Sequence, residues 1–371
     1  MLVSLLVLGV ILAACGAQGG AAPATMAPAA TSGAAATTAA EPTSAPASDT
    51  SAATAAAGAV DRAGWPETFR IGLFGGDDAS ATIQAVEPLR KLMEERLGMP
   101  VEVTTGTSYS AVIEAMRAGR VDAMEVGPFS YVLAVQEAGA EAIAVAMNAP
   151  DEENPVYDPD LAPAYYSVVI TKKGSGIDSV DDLKDKSFAF VDPASTSGHL
   201  APKTALIKQG INPDEDMQTT FAGSHPTAVL SVWNDTTQAG ATFEGNLYRL
   251  ARENQIQFCG FEDEQVGKPR TPEEIKALYD SCPDGNIVML SYSDPIPNTP
   301  FAMNSQLPQS FKDEVRRILL TTQEDPEFVT QFKQWYTYPV EDLGIETLDE
   351  YYNSLRDIAQ LLNLDLKELG G

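Results

Sequence analysis

Basic side chains are scarce in this chain. Its 24 Lys and Arg stand against 52 Asp and Glu, a formal net charge of -28. No run rich in Lys or Arg occurs, so the phosphates of nucleic acid would repel the chain, and no nucleic-acid partner is expected. Histidine occurs twice and cysteine three times in 371 residues. No cysteine sits near a histidine in the sequence, no metal-ligand spacing is present, and no phosphate-loop lysine motif occurs. These absences remove the usual signatures of thiol, metal and phosphate-loop catalysis and predict a non-enzyme with no metal and no cofactor. Residues 16–58 hold no Val, Ile, Leu, Phe, Tyr or Trp. Such a stretch of Ala, Thr, Ser, Pro and Gly cannot bury enough apolar surface to offset chain entropy, which predicts a disordered tether over residues 16–64.

The apolar residues that are present begin with Leu2–Leu12, too short to span a bilayer comfortably. The stretch ends in Leu12-Ala13-Ala14-Cys15, which resembles the lipobox of bacterial lipoproteins. That resemblance implies a signal peptide over residues 1–15, lipidation of Cys15 and an extracytoplasmic protein anchored to the cell membrane. A plain signal peptide with a chance cysteine is the alternative. No basic residue precedes the apolar stretch, which points to a translation start upstream of Met1. The two other cysteines, Cys259 and Cys282, would sit in an oxidising compartment, where a disulfide is expected. A loop of that length contributes about 3 kcal/mol in the chain-entropy model. The rival reading for either is a catalytic thiol.

From Trp65 onward the pattern is one of strands alternating with helices. Strands are predicted at 69–74, 101–104, 121–126 and 142–147, with helices at 80–97, 110–118 and 130–138. The pattern restarts with strands at 166–171, 188–191, 219–221, 239–243 and 287–291 and helices at 200–209 and 227–233, plus a short one from Ser179 with Asp182 as its capping partner. Helical spacing recurs at 311–320, 328–336 and 348–362. Such alternation predicts α/β units on mainly parallel sheets. Joins near 163–166 and 292–297 are candidate hinges between two lobes, residues 65–164 with 294–371 and residues 165–293.

Several strands run into loops rich in Gly, Ser and Thr that open a helix: 75–79, 107–110, 127–131, 195–198 and 223–225. In α/β sheets such loops lie at the carboxyl ends of the strands, where ligands bind. Each helix start offers free N–H groups and partial positive charge, so several converging on one point form an anion site without any Lys or Arg. Hydrogen bonds to a charged group are worth about 1.5–3 kcal/mol each, so three or four loops support micromolar affinity. The acidic surface is screened over roughly 8 Å at physiological salt and does not forbid an anion. Any one of these loops is more often an ordinary helix cap. The run Ser195-Thr196-Ser197-Gly198 is different, because three adjacent hydroxyls exceed what one cap needs.

The stretches Asp192-Pro193-Ala194-Ser195-Thr196-Ser197-Gly198 and Ser293-Asp294-Pro295-Ile296-Pro297-Asn298 resemble the phosphate, phosphite and phosphonate substrate-binding proteins of ABC transporters. So do 109–115, Gly127-Pro128-Phe129-Ser130-Tyr131 and Gly240-Ala241-Thr242-Phe243, in family order over about residues 68–340. The resemblance implies a type II periplasmic-binding fold, two α/β lobes with two hinge crossings and a ligand clamped between them. It implies that Ser195, Thr196 and Ser197 contact a phosphorus oxyanion, that Tyr109, Ser130 and Tyr131 face them, and that His225 approaches from the second lobe. It also implies a monomer working with an ABC transporter permease. Family members often carry an Asp before the Ala-Gly-Ala stretch, where this chain has Gln238. A neutral Gln238 would not pair an ammonium, leaving Glu244, Asp77 or Asp78 as substitutes and putting aminoethylphosphonate in doubt. His199 is a weaker candidate wall residue. An enzyme on the same fold and a ligand sensor for a membrane receptor are the competing readings.

Overall fold

The β-branched and aromatic runs of the sequence form thirteen strands in the computed structural model, which describes residues 61–76, 78–148, 164–262, 267–362 and 364. In chain order they are β1 (Phe69–Phe74), β2 (Val101–Gly106), β3 (Ala123–Glu125), β4 (Ala140–Asn148), β5 (Ala164–Tyr165), β6 (Ser167–Lys172), β7 (Ser187–Phe190), β8 (Gln218–Phe221), β9 (Ala239–Phe243), β10 (Ile287–Tyr292), β11 (Ile296–Pro297), β12 (Pro300–Asn304) and β13 (Gln334–Thr337). Six of them form one sheet in the order β13-β4-β12-β3-β1-β2, and five form another in the order β10-β6-β9-β7-β8. Between the two sheets the chain passes through the short antiparallel pair β5 and β11, Tyr165 opposite Ile296. The architecture is two α/β lobes. The expected lipidation site Cys15, the signal peptide and nearly all of the expected tether lie outside the described residues. Arg62, assigned to that tether by composition, donates to Leu97 O at 2.7 Å.

The sheets are mixed rather than mainly parallel. β1 runs parallel to β2 and β3, but β12 runs against both β3 and β4, and β13 against β4. In the second sheet β7 runs parallel to β8 and β9, whereas β6 opposes β9 and β10. The reversed strands β6 and β12 are those that enter each lobe from the crossings. Alternation sends neighbouring residues to opposite faces: in the first sheet Met124 packs with Tyr131, Val132 and Tyr352, while Ala123 packs with Phe69, Met93 and Phe311.

Two helix expectations needed correction. The span 80–97 is two helices, Ala79–Ala85 and Glu87–Leu97, broken at Val86 because Pro88 lacks an N–H and opens the second. The span 328–336 is a helix only to Phe332. Lys333 turns at φ 58, and Gln334–Thr337 then pairs with β4, because the Trp-Tyr-Thr run gains more from sheet pairing and burial than from continuing a helix. In the second lobe the Sγ atoms of Cys259 and Cys282 are bonded to each other, and Cys282 packs against Tyr279 and Val288.

Candidate functional site

Four helices begin at one place between the lobes. Tyr109 opens Tyr109–Arg117, Gly127 caps Pro128–Ala138, and Thr196 opens a wide π-helical turn, Thr196–Leu200, that leads into Ala201–Lys208; His225 opens His225–Trp233. All four residues line one cavity of about 350 Å³. The first lobe contributes Phe74, Glu125 and Gln334 among others, the second contributes Ser195–Ser197 and Phe243, and the crossings contribute Tyr165, Asn298 and Thr299. No Lys or Arg lines it among the described residues. The groups it offers an anion are therefore N–H groups, hydroxyl protons and helix ends.

The hydroxyl run is held from behind. Ser195 Oγ accepts from Gly198 N at 3.0 Å, and Thr196 Oγ1 accepts from Phe129 N at 2.8 Å. A hydroxyl has one proton and two acceptor sites, so each oxygen fixed by an N–H still has its own proton to donate. Ser197 is fixed through its backbone, whose carbonyl accepts from Ser167 Oγ at 2.6 Å. Gly198 permits the turn, since a Cβ there would lie 2.4 Å from Val191 Cβ. All three hydroxyl residues are at most 3% exposed. Two phenols close over them. Tyr109 stacks on Phe74 with centroids 4.2 Å apart, and burial pushes its pKa up while Ser195 bonds to it. Tyr165 bonds to Ser197 and Thr196, and burial raises its phenol to about 12. Both phenols are thus neutral donors at any physiological pH.

Of the residues singled out in the sequence, Tyr109, Ser195, Thr196, Ser197 and His225 line the cavity. His225 Nδ1 meets Thr242 Oγ1 at 3.1 Å, and its ring packs edge-on to Phe243. Ser130 and Tyr131 do not line it. Ser130 Oγ donates to Ala194 O at 2.7 Å, a contact between the lobes, and Tyr131 is buried in the first lobe, its hydroxyl donating to Asp349 Oδ1 at 2.7 Å and accepting from Ala142 N. Gly127 meets the cavity at the helix cap, whereas Tyr131, one turn further in, packs with Met124, Val132 and Tyr352 in the first-lobe core. His199 turns from the cavity into a cluster with Phe190 and Phe221, and burial lowers its pKa.

The reading of Gln238 also changes. It lies exposed just before β9, and its Oε1 accepts from Ser187 N at 3.3 Å, whereas it is Phe243 at the other end of β9 that reaches the cavity. Its neutrality therefore carries no information about the ligand. Glu244 is 1% exposed and outside the lining, its Oε1 accepting from Gly267 N at 2.6 Å. Asp78 caps a helix by accepting from Ala81 N at 2.9 Å, and Asp77 is outside the described residues. The acid that does line the cavity is Glu125, whose oxygens accept from Gln334 Nε2 at 2.7 Å and Tyr336 Oη at 2.8 Å. Sequence reasoning missed Glu125, Tyr165 and Gln334. Tyr165 lay within a named hinge, and Glu125 is an acid inside an apolar strand, a signal that could have been followed.

The family model of the periplasmic substrate-binding protein of phosphonate ABC transporters matches residues 71–340. The chain is 33% identical over 191 residues to the phosphate-import protein PhnD of Mycolicibacterium smegmatis, which covers 49% of this chain and 56% of that protein. It is 27% identical over 244 residues to the phosphonates-binding periplasmic protein of Escherichia coli, 65% of this chain and 62% of the other. The matches thus span little more than half the length of these relatives. The structure of PhnD1 from Prochlorococcus marinus in complex with methylphosphonate superposes with a TM-score of 0.59 at 16% identity, over 80% of this chain and 99% of that one, a likeness of fold. With the match covering most of the folded chain, this protein belongs to the family of periplasmic substrate-binding proteins of phosphonate ABC transporters.

Proposed function

We propose that the chain captures a phosphorus oxyanion (phosphate, phosphite or a phosphonate) between its lobes outside the cytoplasm and passes it to an ABC transporter permease. The observation that carries this reading is the hydroxyl run: Ser195 and Thr196 line the cavity with their oxygens fixed by N–H donors and share hydrogen bonds with the phenols of Tyr109 and Tyr165. A tetrahedral oxyanion needs several donors from several directions, and the cavity offers hydroxyls, two phenols, an imidazole and helix ends. Each hydrogen bond to the charged ligand contributes about 1.5–3 kcal/mol. Charge-neutral donors suffice because they act at contact distance in a site shielded from bulk water.

Closure follows from the same contacts. Ser195–Ser197 and His225 belong to the second lobe, Tyr109 and Gly127 to the first, and a ligand touching both favours the closed arrangement by its differential affinity. The proposed lobes are residues 65–164 with 294–371 and residues 165–293. The protein acts as a monomer tethered through lipidated Cys15, and changing Cys15 to Ala should release it from membranes. Calorimetric titration with phosphate, phosphite, methylphosphonate and sulfate tests the central reading. Micromolar binding of at least one phosphorus oxyanion, and none of sulfate at the same concentration, is expected; no binding of any phosphorus ligand would overturn it.

A further inference from the structure

Beside the cavity the two lobes touch directly. The first-lobe helix Pro128–Ala138 begins against the second-lobe segment 194–196, and two hydrogen bonds cross between them. Phe129 N donates to Thr196 Oγ1 at 2.8 Å, and Ser130 Oγ donates to Ala194 O at 2.7 Å. Phe129, Ser130 and Ala194 are each 0% exposed, and Thr196 is 1% exposed. Both bonds thus lie in a seam closed to water. They join protein to protein, so neither depends on what the cavity holds. Their acceptors flank Ser195, so together they fix both sides of the start of the hydroxyl run.

Gly127 shows how closely this seam is fitted. Its backbone stands at φ -51 and ψ 148, a conformation open to any L residue and favoured before a proline such as Pro128. Its own lobe therefore does not demand glycine. The demand comes from across the seam: an added Cβ would lie 3.1 Å from Thr196 Oγ1, while the nearest atom of its own lobe, Ser130 Oγ, would be 3.8 Å away in ordinary contact. When the lobes part, Ser130 Oγ, Ala194 O, Phe129 N and Thr196 Oγ1 exchange these partners for water. The bonds then favour closure by their net worth alone, which is modest for each.

We propose that Ser130, with Phe129 N and Gly127, forms a closure latch: it positions the segment 194–196 and draws the lobes together before a ligand arrives, so that a share of the ligand-free protein is already closed. Ligand then selects that share. The inference rests on the reading of capture between two lobes and adds a contribution to closure that no ligand atom makes. Ser130 is a positioning residue here. Because the latch changes the closed fraction and touches no ligand, it scales every affinity alike and leaves specificity unchanged.

Spin labels, one on each lobe of the full chain, measure the lobe separation by pulsed electron resonance. The ligand-free unchanged protein should show a short and a long separation. Ser130→Ala should lower the short-to-long ratio about tenfold, since it removes the donor to the buried Ala194 O. Gly127→Ala should lower the ratio as well, without lowering the melting temperature, because its backbone accepts alanine and only the seam does not. Calorimetric affinities of Ser130→Ala for methylphosphonate, phosphite and phosphate should fall by one common factor for those that bind, a pattern that a merely structural role within one lobe would not give. A long separation alone in the ligand-free unchanged protein, or an unshifted ratio in the variants, would overturn the latch. Unequal losses of affinity would make Ser130 a ligand contact and overturn it too. If Ser130→Ala does not fold, Gly127→Ala decides by the same distances. Shifted ratios with no phosphorus ligand bound would defeat the oxyanion reading and keep the latch; bound ligands with unshifted ratios would do the reverse.

Discussion

The second-lobe wall of the cavity is chiefly three consecutive residues, Ser195–Ser197, fixed by bonds from Gly198 and Phe129 and by Ser167. The first-lobe wall is gathered from β1, Tyr109, β3, β4 and the segment Phe332–Gln334, residues more than 250 apart along the chain. One wall is a continuous run at a helix start, pinned from outside by Phe129 and Ser167. The other exists only when the six-stranded sheet has formed and β13 has paired with β4. A continuous wall is sensitive chiefly to its own atoms and to the few groups that pin it. A gathered wall can vary residue by residue, which suits it to read whatever the oxyanion carries.

Charge buried in the second lobe outside the cavity lining should have the largest effect on stability without touching the ligand. Burial raises the Glu244 carboxyl to about 7, and its Oε2 has no hydrogen-bond partner among the described residues. Between its ordinary pKa and about 7 the folded protein holds a proton that the unfolded chain has released. Stability should therefore fall as pH rises through that window, by on the order of 3 kcal/mol. Glu244→Gln should remove the fall, as read by denaturant melts at pH 5 and pH 8. An unchanged pH slope would mean that the acid is better compensated than its surroundings indicate.

Thr196→Val should weaken oxyanion binding ten- to a hundredfold, since it removes a hydroxyl worth about 1.5–3 kcal/mol to a charged ligand. It also takes the acceptor from Phe129 N, so a loss of about 1 kcal/mol in stability should accompany it. Affinity within twofold of the unchanged protein would reduce the run to a helix cap. The two tyrosines sharpen the contrast. Tyr109→Phe should cost about tenfold in affinity if its phenol donates to the ligand. Tyr131→Phe should leave affinity alone and lower stability by about 1 kcal/mol through the lost bond to Asp349. Equal effects of the two on calorimetric affinity would break the division between wall and core. The smallest effect is expected at Gln238, where substitution by Asp should leave affinity for 2-aminoethylphosphonate within twofold, because the side chain is exposed beyond the far end of β9.

Much of the fold was legible because the signals are local. Strand runs, helix caps such as Ser179 with Asp182, and the Gly-Ser-Thr loops follow from backbone preferences of residues close together in the chain. The hydroxyl run could be singled out for the same reason, since its three hydroxyls and the glycine that permits the turn lie within four residues. The helical spacing at 328–336 misled because its outcome was set elsewhere: β4 offers an open edge, and Trp335 and Tyr336 gain burial by pairing with it. That pairing also brings Gln334 and Tyr336 to Glu125. Whether Tyr131 or Tyr109 meets the cavity was likewise undetermined by residue type, because both follow a small-residue loop near a helix start; Tyr109 is the first residue of its helix and lines the cavity, while Tyr131 is the fourth of its own and packs in the core. The sequence by itself determined an α/β chain with helix starts and hydroxyls suited to an anion. Only the tertiary structure decided which side chains share the cavity, because that depends on strand order and crossings that bring residues hundreds of positions apart into contact, and no local preference encodes such distances.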